Sequence, residues 1–123
     1  MSLNKETVQR YMEAYSRWDH SEVLACLTDD VEWVVPGAFH LEGREAFDNE
    51  IEGQGAAGPP EIVVTRLVEE DEVVVAEGTV RNALEDGGVL SLVFCDVFLM
   101  RDGLIRHLTS YLMSVSASTE RVS

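Results

Sequence analysis

The sequence predicts an α+β fold in which three N-terminal helices precede a long, curved antiparallel sheet. Apolar residues in the first half recur at helical spacing, whereas the stretch from Glu61 onward is a succession of β-rich runs. Two hairpin-turn dipeptides, Asp86-Gly87 and Asp102-Gly103, cut those runs. Helices first and strands afterwards, rather than the two in alternation, is the α+β order.

Val8, Tyr11, Met12, Tyr15 and Trp18 form one apolar stripe, which predicts a helix from about Asn4 to Arg17. Asp19, with Glu22 three residues later, makes a capping-box-like start for a second helix. Val23, Leu24 and Leu27 are its expected buried face, and Asp29-Asp30 its end. Val31-Glu32-Trp33-Val34-Val35 reads as a short strand stopped by Pro36-Gly37. Gly43-Arg44-Glu45 opens a third helix, with Ala46, Phe47, Glu50 and Ile51 along one side. The segment from Gly53 to Pro60 is a loop. Strands are then expected from Glu61 to Glu69, Glu72 to Leu84, Val89 to Met100 and Leu104 to about Val115, paired as a meander. The polar tail, Ser114 to Ser123, is expected to fray.

At 123 residues the chain has the size of one domain, with a core over about residues 4–113. Nine basic residues against 23 acidic ones give a net charge of −14, a surface that repels phosphate backbones and anionic lipid. Neither nucleic acid nor membrane is an expected partner. No stretch approaches the ~18 continuous apolar residues of a membrane span. The polar start, Met1 to Glu6, does not read as a signal peptide, so a cytoplasmic location is expected. Cys26 and Cys95 suit buried thiols in a reducing compartment, a disulfide between them being the alternative. His20, His40 and His107 are scattered without metal-ligand spacing. With no Gly-rich phosphate loop, dinucleotide fingerprint or nucleophile elbow, neither metal nor cofactor is expected.

Asp96 interrupts an otherwise apolar run, Leu92 to Met100. A carboxylate in such a strand loses its water, and it either becomes a neutral hydrogen-bond donor or finds a partner. It is thus a structural Asp bonded to a neighbour or a candidate for chemistry. Val93, Cys95, Val97 and Leu99, on the opposite face of the same strand, are also apolar. Three helices cover only one face of a sheet, so a second copy of the chain is the expected cover for the other.

The order of elements resembles the NTF2-like superfamily, most nearly its SnoaL-like and ketosteroid-isomerase-like branch. The likeness rests on Leu27-Thr28-Asp29-Asp30-Val31-Glu32-Trp33, on Gly43-Arg44-Glu45-Ala46-Phe47 and on the segment from Asp96 to Ile105. It implies an NTF2-like (cystatin-like) cone, a curved antiparallel sheet wrapped around three helices with an apolar pocket, commonly dimeric. It also implies that Tyr11 and Asp96 stand where ketosteroid isomerases hold the tyrosine and aspartic acid that hydrogen-bond an enolate oxygen. The branch's general base precedes a proline at the end of the first strand, and here that position is Val35, before Pro36. A valine takes no proton.

Strand alternation places Glu77 and Arg81 opposite the more apolar face of their strand, toward solvent. The resemblance instead turns them into the pocket, as a pair or as base and anion-binding group. Tyr15, Trp33, Phe98, Leu108 and Leu112 are expected on the pocket wall, ordinary core packing being the alternative for each. His40 is expected on a loop near the mouth, His107 on the dimer side and His20 at a helix-start surface. The resulting expectation is a cofactor-independent isomerase or cyclase acting on a small apolar carbonyl compound, with Asp96 and Tyr11 as its acids. A non-catalytic binding or dimerisation module, and an epoxide hydrolase built on Asp96, Glu77 and Arg81, are the alternatives.

Overall fold

The computed structural model describes residues Ser2 to Val115; the tail expected to fray lies outside the described residues from Ser116 on. Ser114 is still in a strand, and the Val115 N–H donates to the Ser91 carbonyl at 2.9 Å. The elements run α1 (Leu3–Tyr15), α2 (His20–Ala25), β1 (Leu27–Val35), β2 (Phe39–Glu42), α3 (Arg44–Glu50), β3 (Glu61–Glu70), β4 (Val73–Ala83), β5 (Val89–Arg101) and β6 (Leu104–Ser114).

Local chemistry explains the helix ends. Ser2 caps α1 by accepting the Lys5 N–H, and Asp19 caps α2 by accepting that of Glu22. The apolar stripe reaches Trp18, but α1 stops at Tyr15 because Trp18 takes a left-handed conformation, φ 55°. The Trp18 N–H then donates to the Tyr15 carbonyl and the Asp19 N–H to that of Ala14, closing the helix as a Schellman turn.

Two expectations fail between Leu27 and Glu42. Leu27 is the first residue of β1, not the buried face of α2, and Asp29-Asp30 lie within the strand. β1 pairs in parallel with β6, Leu27 opposite Ile105, and a register shift before Glu32 absorbs the polar residues. His40 sits on β2, a strand in place of the expected loop, paired through Val34 with β1. Pro36-Gly37 is therefore a hairpin turn rather than an exit from the sheet.

All six strands form one sheet in the order β2-β1-β6-β5-β4-β3, antiparallel except for β1 with β6. The expected meander is β3 to β6, and its Asp102-Gly103 turn has φ of 54° and 78°, the pair a type I′ hairpin requires. The helices pack on one face, where Val8, Val23, Phe47, Ile51, Phe98, Ile105 and Leu108 are fully buried. Gly78 allows β3, β4 and β5 to close tightly on that face. A Cβ there would stand 1.9 Å from the Val63 carbonyl oxygen and 2.9 Å from the Phe94 ring.

The outer face carries Val63, Val68, Val93, Tyr111 and Met113, all exposed. Cys26 is buried and Cys95 only half-buried on that outer face; both are free thiols. No helix of the described residues is long and apolar enough to cross a membrane.

Candidate active site

A cavity of about 310 Å³ lies between α1, α3 and the inner face of the sheet. Its wall is mostly apolar: Trp33 and Val35 from β1, Ile62 from β3, Val80 from β4, and Leu90, Leu92 and Phe94 from β5. Tyr11 and Tyr15, one helical turn apart on α1, reach it together, their rings 5.8 Å apart. Trp33 is clamped by Phe47, stacked at 4.5 Å, and by Phe39, edge-on at 5.2 Å. Its indole N–H donates to the Ser110 hydroxyl at 3.1 Å.

Asp96 is the one acid deep in this wall. Strand alternation sends Phe94, Asp96 and Phe98 to the inner face, and Asp96 is 8% exposed. Its Oδ1 is buried without a hydrogen-bond partner. Burial pushes the carboxyl up to about 7, while the Ser110 hydroxyl, directly opposite in register, pulls it partway back by hydrogen bonding. Near neutral pH the group is therefore divided between acid and carboxylate. Burial also drives the Tyr11 phenol well above its ordinary range, and the Tyr15 and Asp96 charges add to this. Tyr15 moves the same way, again chiefly by burial, with Glu50 and Asp96 contributing. Both phenols remain neutral donors within the field of Asp96.

The cavity gathers six of the expected residues: Tyr11, Tyr15, Trp33, Val35, Asp96 and Leu112. Phe98 and Leu108 are fully buried core, with Phe98 edge-on to Tyr11 at 5.6 Å. Glu77 and Arg81 are a correction: both lie on the outer face. Glu77 pairs with Arg66 there at 3.3 Å, and Arg81 is exposed. Their strand offers Val74, Ala76, Gly78 and Val80 to the core, so burying the alternate set would expose the apolar one. His40 is a second correction, for it also faces outward, beside Glu32. His20 is more than surface, since its ring joins Asp48 at 2.5 Å and Glu52 at 2.8 Å across α2 and α3.

Sequence reasoning missed Glu50, Asn82 and Ser110 on the cavity wall. Glu50 was findable: it shares the apolar side of its helix with Phe47 and Ile51, an odd place for a carboxylate. Asn82 is held by donating to the Gly58 carbonyl at 2.9 Å, a tertiary contact with no local signal. Chemically, the cavity offers one buried acid, two phenols, and two further carboxylates, Glu50 and Glu52, nearer the solvent.

The family model of the SnoaL-like domain matches residues 8–108. Among solved structures, an NTF2-like protein of unknown function from Burkholderia pseudomallei is 25% identical. The match covers 98% of this chain and 97% of that one, at a TM-score of 0.82. An LEH-like epoxide hydrolase from M. tuberculosis is 22% identical, over 90% of this chain and 83% of its own, at 0.80. A candidate ketosteroid isomerase from Kribbella flavida is 20% identical, over 93% and 80%, at 0.75. The last two likenesses show the fold alone. No functionally curated protein matches this chain.

Proposed function

This chain belongs to the SnoaL-like domain family, and from that premise we propose that its cavity binds and transforms a small, largely apolar carbonyl compound. The carrying observation is the buried, unpartnered Oδ1 of Asp96 on an apolar wall it shares with Tyr11. A protonated Asp96 and the Tyr11 phenol would donate to one oxygen, stabilising the negative charge that develops on it as a proton leaves the neighbouring carbon. Preorganised donors of this kind contribute on the order of 3 kcal/mol each. With Val35 at the family's base position, the proton acceptor is Glu50, since the other lining carboxylate, Glu52, is engaged by the His20 ring at 2.8 Å. The reaction class is enolisation, as in double-bond shift or cyclisation, with no cofactor taking part.

The epoxide-opening alternative loses its residues. It needed Glu77 and Arg81 beside Asp96, and both face outward, leaving no arginine among the described cavity residues. We also propose that two copies pair through the outer face, where Val63, Val68, Val93, Tyr111 and Met113 leave an apolar surface uncovered.

A panel of enones and epoxides tests the catalytic reading, with Asp96→Asn as control and the Asp96 carboxyl titrated by NMR. The expected result is enone turnover that falls about a hundredfold in Asp96→Asn, the usual cost of one oxyanion donor. An ordinary carboxyl titration, together with turnover indifferent to the substitution, would reduce the cavity to a binding site.

A further inference from the structure

We propose that the outer face of the β2–β1–β6 edge holds a divalent transition-metal ion of the zinc class, ligated by Glu32, His40, Glu42 and His107. This site is separate from the cavity, which opens on the inner face.

The strand register builds the cluster. β1 lies between β2 and β6, and Glu32 stands directly opposite Glu42 on one side and His107 on the other. Val34 pairs with His40, so His40 stands diagonally from Glu32 on the same face. Phe39 and Leu41, the alternate residues of β2, pack against the core. Both imidazoles and both carboxylates therefore face outward together. The His40 Nε2 lies 3.3 Å from the Glu32 Oε1 and 3.9 Å from the Glu42 Oε1. The His107 Nε2 lies 4.0 Å from the other Glu32 oxygen. Ligand atoms of Glu32, His40 and Glu42 all fall within 4.8 Å of one another.

The mutual spacings of the Glu32, His40 and Glu42 donors are close to what an ion requires, and His107 approaches from the far side of Glu32. A tetrahedral zinc takes imidazole nitrogen and carboxylate oxygen at about 2.0–2.2 Å, which puts neighbouring donors roughly 3.5 Å apart. Small rotations of long side chains close the difference, while the hydrogen-bonded strands hold the Cα positions. Two nitrogens among four donors favour zinc, nickel or copper over calcium and magnesium, which prefer oxygen throughout. The net charge of −14 draws any cation toward the surface. Entry is open, since Glu42 and His40 are mostly exposed while His107 is three-quarters covered. A bound ion would fasten the four-residue edge strand β2 to its neighbours and stabilise the fold by mass action.

Calorimetric titration of the untagged, chelator-treated full chain with zinc chloride is the test. One site per chain is expected, with affinity weakened at least about tenfold by His40→Ala and by His107→Ala alike. Cobalt in place of zinc should give the intense visible bands of a four-coordinate ion, lost in the double substitution. Both histidines lie outside the core, so circular dichroism of each variant should match the parent. Absence of binding by the parent, or binding undiminished in the two variants, would overturn the site.

Discussion

Asp96 and Ser110 are cross-strand partners on β5 and β6, and Ser110 serves two masters there. Its hydroxyl accepts the Trp33 indole N–H at 3.1 Å and also draws the Asp96 carboxyl partway back toward its ordinary range. One small side chain thereby fixes an aromatic wall and sets the charge of the acid behind it. The buried Asp96 Oδ1 has no hydrogen-bond partner within the protein.

That arrangement makes stability depend on pH in a set direction. The unfolded chain releases this proton near 3.8 and the native chain only near 7. Below the lower value both states are protonated and nothing is lost. Between the two values the unfolded state is charged while the native state keeps its proton, so stability falls as pH rises, and the full penalty applies above about 7. Its ceiling is on the order of 4 kcal/mol. Urea denaturation from pH 4 to 8 should show Asp96→Asn gaining on the parent with rising pH. Ser110→Ala should lose about 1–3 kcal/mol by orphaning the Trp33 N–H, and it should move the Asp96 midpoint higher. A constant difference between parent and Asp96→Asn across that window would refute the buried-acid account.

Gly78 tests how closely the sheet is wound over the cavity. Because a Cβ would meet a backbone oxygen at 1.9 Å, Gly78→Ala must push β3 away from β4. A loss of at least about 3 kcal/mol is expected, the upper end of overpacking costs. Thermal unfolding of the variant within a degree of the parent would show that the strands separate freely there.

The outer apolar face makes an independent prediction. Val93→Lys and Met113→Lys place charge at neighbouring cross-strand positions on the exposed side. Sedimentation velocity at micromolar concentration should find the parent as a dimer and the double variant as a monomer. A monomeric parent would remove the pairing proposal and leave the cavity argument untouched.

The sequence by itself determined the helical half, the meander and the burial of Asp96. Each follows from local signals: apolar spacing along a helix, Asp-Gly turns, and one acid among eight apolar neighbours. Alternation along β4 also sent Glu77 and Arg81 outward, against the placement the family likeness suggested. Tertiary structure alone decided what touches across the sheet. Parallel pairing of β1 with β6 joins residues far apart in the chain, bringing Glu32 to His107 and Trp33 to Ser110, 77 positions away. Short strands such as β2 carry too few residues to show a period, so His40 had no readable face. Alternation sets which side of a strand a residue occupies, but only register sets its neighbours, and register comes from the packing of the whole sheet.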